Sequence, residues 1–273
     1  MSIGTWTIIK NEACWIGAHI TNILPFIDEM VFYDGNSTDG TIEIIEAIKS
    51  ESPDGRKIKL FRNCDPIDLK DDYVRLSHEC LRSVDSDLAW FLHPDMHIVD
   101  PARILAVKDS AAVALTTSMR SFAGESDGPL FEIKGRQPLW KNIYRLRNPD
   151  LGAHYHGHYG VHNEDVYFSA ITGDEHIHRG DDMDGYPYEV VDSGLEVLHF
   201  SDVRPYARRL ERMKTCLKNQ GNNVALAESH PRVTLKPGGF KYDTFNLVPA
   251  EYPAAMLEAR NKYRHLEKTL VKA

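Results

Sequence analysis

Three apolar runs in the first hundred residues each end in a cluster of polar side chains. The clusters are Lys10-Asn11-Glu12, the segment DGNSTDGT at 34–41 and the segment HPDMH at 93–97. Asn, Ser, Thr and Asp are typical helix caps, because their oxygens accept hydrogen bonds from the free N–H groups of a helix start. The same side chains bind nucleotides and cations, so each cluster alone is about as consistent with a cap as with a site.

The second cluster has the composition of a nucleotide-binding loop. A carboxylate such as Asp34, following an apolar run, can accept a hydrogen bond from an imide N–H such as that of uracil. The loop amides and the hydroxyls of Ser37 and Thr38 can then face a ribose or a phosphate. The segment has neither the lysine of a P-loop nor the GxGxxG pattern of dinucleotide folds.

The third cluster has side chains that could hold a divalent cation. In an extended segment, residues two apart share a face. One ion can therefore be bound by Asp95 with His97, or by His93 with Asp95. Carboxylate and imidazole ligands with open positions suit Mn²⁺ or Mg²⁺ shared with substrate phosphates, where the ion would neutralise a departing diphosphate. Pro94 makes a plain turn an equally good interpretation of the segment.

The spacing of apolar residues predicts alternating strands and helices in the first hundred residues. Strands are predicted at 5–9, 30–33, 57–61 and 88–92, with helices at 12–24, 39–48 and 69–84 between them. Parallel strands need such crossover helices, so the pattern predicts an α/β fold with a mostly parallel sheet flanked by helices. Ligands of such sheets bind at the carboxyl ends of the strands, where all three clusters lie.

The second half of the chain has a weaker periodicity and predicts a mixed sheet with long loops. A strand is predicted at 195–200, a basic amphipathic helix at 204–218, a loop at 221–244 and a C-terminal helix at 253–270. The arginines of the basic helix either close over phosphates or are solvated, and solvation is favoured for most of Arg204, Arg208, Arg209 and Arg212.

Composition excludes several classes of protein. The 273 residues are 42% hydrophobic and 26% charged, as in ordinary globular proteins, and the net charge of -8 disfavours a broad nucleic-acid-binding surface. The sequence shows neither a signal peptide nor an apolar run of about 18 residues, so no membrane span is expected. The four cysteines form no CxxC pair and are expected to be reduced thiols in a cytoplasmic protein.

Taken together and in this order, the three clusters resemble the family 2 glycosyltransferases of the GT-A fold, which is Rossmann-like. The resemblance implies that the first two clusters bind the nucleotide of an activated sugar, through Lys10, Asn11, Glu12, Asp34, Asn36 and Ser37. It also implies that HPD at 93–95 is the metal motif, in which Asp95 binds the metal and contacts the nucleotide-sugar donor. His93 replaces the first aspartate of the family's DxD pattern.

The resemblance extends to later segments. Arg75 matches an arginine that approaches the diphosphate in many relatives, and His199 resembles a C-terminal histidine that joins the metal or the diphosphate. The segment GVHNED at 160–165 resembles the part that holds the acidic catalytic residue. Two alignments of that segment choose Asp165 or Glu164, and Asp165 is favoured as the base of an inverting transferase.

These observations predict a metal-dependent glycosyltransferase. It would move a sugar from a nucleotide-diphosphate sugar, UDP being the favoured nucleotide, to a hydroxyl acceptor, with Mn²⁺ or Mg²⁺ held by Asp95, His97 and His199. Residues 1–100 would form the nucleotide-sugar-binding half of one domain, 101–219 the metal- and acceptor-binding half, and 220–273 a C-terminal extension. A nucleic-acid acceptor is disfavoured by the acidic charge.

Two other functions stay open. Six histidines between 154 and 178 could hold zinc in a hydrolase, although no HExxH or CxxC accompanies them. The histidines are His154, His156, His158, His162, His176 and His178. The altered HPD motif also fits a binding module that kept the fold and lost the chemistry, because a fold alone does not establish activity.

Overall fold

The structure is a computed structural model that describes most of the chain. The described residues are 1–62, 76, 79–80, 83–109, 114–134, 141–145, 156–161, 164–169, 175–179, 190–219, 223–228 and 246–268. For the strands between 141 and 179 it describes the backbone only.

The described residues form thirteen strands and five α-helices. The strands are β1 (Ile3–Ile9), β2 (Glu29–Asp34), β3 (Ile58–Phe61), β4 (Leu88–Phe91), β5 (Met96–Ile98), β6 (Ala114–Gly124), β7 (Leu130–Lys134), β8 (Lys141–Arg145), β9 (His156–Val161), β10 (Glu164–Ser169), β11 (Glu175–Arg179), β12 (Val190–Val203) and β13 (Asn246–Ala250). The helices are α1 (Ala13–Ile23), α2 (Thr41–Glu51), α3 (Ile104–Lys108), α4 (Tyr206–Asn219) and α5 (Ala254–Tyr263).

A parallel group of strands lies at one side of the main sheet. β1 pairs in parallel with both β2 and β4, and β3 pairs in parallel with β2. The register places Ile9 beside Asp34, so the first two polar clusters leave the sheet next to each other. The predicted alternation of strands and helices is confirmed here, although the helix expected at 69–84 lies mostly outside the described residues.

The other side of the main sheet is mixed. β8 pairs antiparallel with β4 and β6, and β7 joins β6 to β13. β12 runs parallel to β6 and antiparallel to β5. β9, β10 and β11 form a separate antiparallel sheet. The α/β class predicted from the sequence is therefore confirmed.

The core packs α1 against the parallel strands. Ile16, Ile20 and Ile23 recur at helical spacing on α1 and are buried with Ile3 and Phe32 of the sheet. Burial of each side chain of this size stabilises the fold by about 1.5–3 kcal/mol. This packing holds the start of α1, and with it the Asn11-Glu12 turn, at the carboxyl edge of the sheet.

The C-terminal helix is shorter than the predicted 253–270. α5 ends at Tyr263, a 3-10 turn follows at Arg264–Leu266, and the backbone N–H of Lys268 then donates to the carbonyl of Asp39 (2.7 Å). The apolar pattern of the sequence continues past Tyr263. The helix ends there nevertheless, because the chain turns to form the hydrogen bond between Lys268 and Asp39. The C-terminal segment thus lies against the polar loop at 34–41.

No helix in the described part of the chain is long and apolar enough to span a bilayer. Cys14 and Cys80 are buried free thiols.

Candidate active site

The loop at 34–41 is built on the carboxylate of Asp34. Asp34 is buried at the end of β2, and its oxygens accept the backbone N–H of Ser37 at 3.1 and 3.3 Å. Asn36 adopts a left-handed φ of 61°, a conformation that Asn tolerates better than most residues, and its side chain is exposed. The segment can therefore both stabilise the local backbone and bind a ligand, because the turn that Asp34 organises leaves side chains exposed.

Asn11 ties the first cluster to this loop. Its backbone N–H donates to the hydroxyl of Ser37 (2.8 Å), and its side-chain oxygen accepts the backbone N–H of Thr38 (2.8 Å). Asn11 is buried and has a φ of 54°. Its amide therefore supports the neighbouring loop. Lys10, half-buried, precedes it at the end of β1.

Asp39, which the sequence did not single out, joins two helix starts. Its carboxylate accepts the backbone N–H groups of Ala13 (3.0 Å) and Thr41 (3.1 Å), the first residues of α1 and α2. The hydroxyl of Thr41 in turn accepts the backbone N–H of Glu12 (2.8 Å). Only the general preference for Asp at caps could have indicated this role, because the two helix starts lie 28 residues apart in sequence.

Asp95 lies in a turn and is buried. The backbone N–H of Met96 donates to the carbonyl of His93 (3.0 Å), so the turn favoured by Pro94 is present and β5 begins only at Met96. The expectation that Asp95 and His97 share a face of one extended segment is therefore wrong, because strand alternation starts after Asp95.

His199 of β12 lies beside Asp95. The register pairs His199 with Met96, and the backbone N–H of Phe200 donates to the carbonyl of Asp95 (2.8 Å). These contacts place His199 Nε2 at 3.6 Å from Asp95 Oδ1. The structure thus brings together two predicted metal ligands that are 104 residues apart in sequence.

Arg204 joins Asp95 to Glu12. Its guanidinium is 2% exposed and donates through Nη1 to Glu12 Oε2 (2.6 Å) and through Nη2 to Asp95 Oδ2 (2.8 Å). Burial raises the pKa of Glu12 against the opposing charge of Arg204. Burial also acts to raise the pKa of Asp95, but His199 and Arg204, with smaller contributions from His93 and Arg212, outweigh it and hold that pKa below its usual value. Asp95 is therefore ionised.

The four arginines at 204–212 are mostly not solvated, contrary to the sequence prediction. Arg204 and Arg209 are buried, and Arg208 donates to the carbonyl of Lys10 (2.7 Å). Arg212 alone of the four has a half-exposed side chain, with Nη1 at 3.9 Å from Asp95 Oδ2. Charge patterning failed for Arg204 and Arg209 because their acidic partners come from distant segments of the chain.

His97 lies with a different set of side chains. Its Nε2 is 3.4 Å from the side-chain nitrogen of Asn22, and burial together with the nearby His19 lowers its pKa to about 4. Within the residues that the structure describes, no three His, Cys, Asp or Glu side chains form a group that could hold a metal. The geometry therefore does not join His97 to Asp95 and His199.

A divalent cation fits the Asp95–His199 pair as two of its ligands. Asp95 Oδ1 is buried and accepts no hydrogen bond within the described part of the chain, whereas Oδ2 is held by Arg204. Glu12, Asp95 and Arg204 together carry one net negative charge when both carboxylates are ionised. An oxygen and an imidazole nitrogen with open positions suit Mn²⁺, and the pair does not by itself complete a coordination shell.

Asp165 and Glu164 lie on opposite faces of β10. Asp165 pairs with Gly160 and His178, whereas Glu164 pairs with Val161 and Arg179. Alternation along a strand places adjacent residues on different faces, so only one of the two acids shares the face of His178. Which of them is catalytic stays a prediction, and Arg75 lies outside the described residues.

Comparison with solved structures gives similarity to glycosyltransferases at low sequence identity. Glucosyl-3-phosphoglycerate synthase from Mycobacterium tuberculosis, in complex with Mn²⁺ and uridine-diphosphate-glucose, is 15% identical with a TM-score of 0.41, over 81% of this chain and 80% of that chain. The mannosyltransferase PcManGT from Pyrobaculum calidifontis, in complex with GDP-Man and Mn²⁺, is 13% identical with a TM-score of 0.43, over 98% and 80%. No protein-family profile and no curated protein matches the chain. At these identities the chain is similar to these glycosyltransferases in backbone course alone.

Proposed function

We propose that the protein is a metal-dependent glycosyltransferase that uses a nucleotide-diphosphate sugar, with UDP as the nucleotide, and transfers the sugar to a hydroxyl acceptor with inversion. The observation that carries this proposal is the pairing of Asp95 Oδ1 with His199 Nε2 at 3.6 Å, in a turn after a strand parallel to β1. Open α/β sheets bind ligands at this edge.

The donor would bind across the loops that follow β1 and β2. Asp34 accepts one backbone N–H, and a carboxylate has further lone pairs for an imide N–H of uracil. Asn36 and Thr38 are exposed and Ser37 is half-buried, so the loop can contact a ribose. Lys10 and Arg75 are the proposed cationic partners of the phosphates, and Asn11 supports the loop.

Asp95 and His199 would hold Mn²⁺ or Mg²⁺ together with diphosphate oxygens. When bound, the ion would neutralise negative charge on the departing nucleoside diphosphate. The half-exposed Arg212 has its Nη1 at 3.9 Å from Asp95 Oδ2 and adds positive charge there. His97 is omitted from this ligand set because it lies with His19 and Asn22.

Asp165 would be the base that takes the proton of the acceptor hydroxyl. An inverting transfer needs one carboxylate on the acceptor side, within hydrogen-bond distance of the attacking oxygen. Glu164 is the alternative one residue away. The acceptor would be a saccharide or another hydroxyl compound.

Nucleotide selectivity tests the proposal directly. Titration calorimetry with Mn²⁺ is expected to show tighter binding of UDP than of GDP. Asp34→Ala is expected to weaken UDP binding by about 1–3 kcal/mol, the value of a charged hydrogen bond. Asp34→Asn is the matched control for the loop, because its amide oxygen can still accept the Ser37 N–H. Equal affinity for the two nucleotides in the wild type would contradict the base assignment.

A binding module would share this affinity but lack turnover. Slow Mn²⁺-dependent hydrolysis of a UDP-sugar, measured by release of free sugar, is expected for a transferase without its acceptor. Its absence across a panel of UDP-sugars would favour the non-catalytic alternative.

The register of the three-stranded sheet favours a zinc hydrolase as a second candidate. Tyr167 pairs with both His158 and His176, Ser169 pairs with His156, and Asp165 pairs with His178. These four histidines and Asp165 therefore belong to one face of the sheet. Purified protein that retains one zinc per chain, and loses it in His158→Ala, would support this candidate over the transferase.

A further inference from the structure

One buried guanidinium links two of the three polar clusters. Arg204 contacts Glu12 with one terminal nitrogen and Asp95 with the other, although the three residues come from distant parts of the chain. Arg204 is 2% exposed and Asp95 is 4% exposed. The planar guanidinium carries its donors in a fixed fork, so binding two carboxylates at once restricts both in distance and in angle.

Arg204 is itself held by its neighbours. The indole N–H of Trp15 donates to the carbonyl of Val203 (2.8 Å), the residue directly before it. Arg209 donates to the carbonyl of Arg204. The backbone on both sides of the Arg204 side chain is therefore anchored.

The backbone of Glu12 is held as firmly as that of Arg204. Its carbonyl accepts the backbone N–H groups of Trp15 and Ile16 at the start of α1, and its own N–H donates to Thr41. A carboxylate anchored in this way can restrain the guanidinium that it binds. It is also the second carboxylate that Arg204 binds in the buried group.

We infer that Glu12 and Arg204 are positioning residues for Asp95. Arg204 binds Asp95 Oδ2 and leaves Oδ1 facing His199, and Glu12 fixes the guanidinium that does so. Glu12 then acts on the cation through Arg204 and has no contact with the donor, unlike its role in the family resemblance. This inference rests on the proposed function, because it concerns the cation that Asp95 and His199 would share.

The expected effects separate positioning from donor contact. Glu12→Gln keeps the size of the side chain and removes its charge, and it is expected to weaken Mn²⁺ binding by about tenfold, the usual effect of losing an outer-shell partner of a ligand. Arg204→Lys keeps a positive charge but loses the planar fork that restrains both carboxylates in distance and angle, so it is expected to weaken Mn²⁺ binding at least as much. At saturating Mn²⁺ the KM for the sugar nucleotide is expected to be unchanged in Glu12→Gln.

Arg260→Lys is the matched control. Arg260 is also a buried arginine, bonded to the carbonyl of Ser126 and paired with Asp127 (3.0 Å), but it has no contact with Asp95 or Glu12 among the contacts of the described residues. Arg260 also lies over the ring of Trp15 (5.2 Å), so its replacement by lysine tests whether a general disturbance of this part of the fold is enough to weaken the cation site. Arg260→Lys is expected to bind Mn²⁺ as the wild type does.

The measurement is a titration of Mn²⁺ followed by the electron paramagnetic resonance signal of the free ion, with and without UDP. It is made at a temperature where near-ultraviolet circular dichroism shows every variant to be folded. Wild-type Mn²⁺ affinity in both Glu12→Gln and Arg204→Lys would overturn the inference, and so would an equal loss in Arg260→Lys. A raised donor KM for Glu12→Gln at saturating Mn²⁺ would also overturn it. If the wild-type protein itself binds no Mn²⁺, the metal-dependent function fails and the inference fails with it.

Discussion

The two carboxylate oxygens of Asp95 have different surroundings, and this difference defines the site at the scale of single residues. Oδ2 is bound by Arg204, while Oδ1 lies beside His199 in a buried position. A buried carboxylate with one uncommitted oxygen is costly unless a ligand completes it. The residue pattern HPD at 93–95 indicated Asp95 from the sequence, but the role of Arg204 could not be predicted, because its partners lie 109 and 192 residues away.

The base can be identified by comparing Asp165→Asn with Glu164→Gln. The two acids lie on opposite faces of β10, so only one is expected to reach the acceptor oxygen. Asp165→Asn is expected to lower the transfer rate by about 10²–10⁴-fold, the usual contribution of a general base, with donor affinity nearly unchanged.

The measurement is the steady-state transfer rate together with calorimetric donor affinity for both variants. Donor affinity is the internal control, because the base contacts the acceptor only. A large loss in Glu164→Gln alone would move the role by one residue. Small losses in both would show that the base lies elsewhere or that the reaction retains configuration.

At the scale of elements, the sequence predicted the described strands and helices up to residue 92 well, the helix at 69–84 being mostly outside the described residues. Apolar runs and helical spacing are local signals, and β1, α1, β2, α2, β3 and β4 each lie within a few residues of their predicted bounds. The pairing of β12 with both β5 and β6 could not be predicted in this way. It depends on register between strands about 80–100 residues apart, and it is this pairing that brings His199 to Asp95.

The contact between the C-terminal segment and the loop at 34–41 gives a prediction for Gly40. Gly40 has a φ of 98°, and a Cβ there would lie 2.0 Å from the carbonyl oxygen of Leu266. Gly40→Ala is therefore expected to lower the free energy of unfolding by at least about 2 kcal/mol, since both backbone strain and a clash oppose it. Donor binding is expected to weaken as well, because the loop must shift.

Urea denaturation and calorimetry measure the two effects. Gly128→Ala is the comparison variant: its Cβ would lie 2.9 Å from the Cβ of Glu125, but it meets no backbone atom and Gly128 has no left-handed φ, so the free energy of unfolding is expected to fall by less. A Gly40→Ala protein as stable as the wild type would show that the C-terminal segment is not held against the loop.

At the scale of the whole molecule, the site and the core share elements. The starts of α1 and α2, the turn before β5 and the end of β12 all contribute to the site, and α1 also packs in the main core. Beneath the Asp95 turn, the ring nitrogen Nδ1 of His19 lies 3.0 Å from the carbonyl of Met96. Because this buried histidine contacts the residue that follows Asp95, a change in its protonation is expected to affect both the stability of the fold and the geometry of the turn.

The pKa of His19 predicts how stability depends on pH. Burial lowers this pKa from 6.5 to about 4, against smaller contributions from the Met96 carbonyl and Asp95 that raise it. Between pH 6.5 and 4 the unfolded chain therefore binds a proton that the folded protein does not, and stability falls as the pH falls through this range. By pH 4 the loss from His19 is expected to approach roughly 3 kcal/mol.

Urea denaturation at pH 7, 6, 5 and 4.5 measures this dependence. His19→Asn keeps an amide nitrogen that can donate to the Met96 carbonyl but does not titrate, so its free energy of unfolding is expected to fall less steeply between pH 6.5 and 4.5. Identical slopes in the wild type and His19→Asn would show that His19 is not held neutral in the folded protein. Because the turn that carries Asp95 rests on this ring, acid is then expected to weaken cation binding along with the fold.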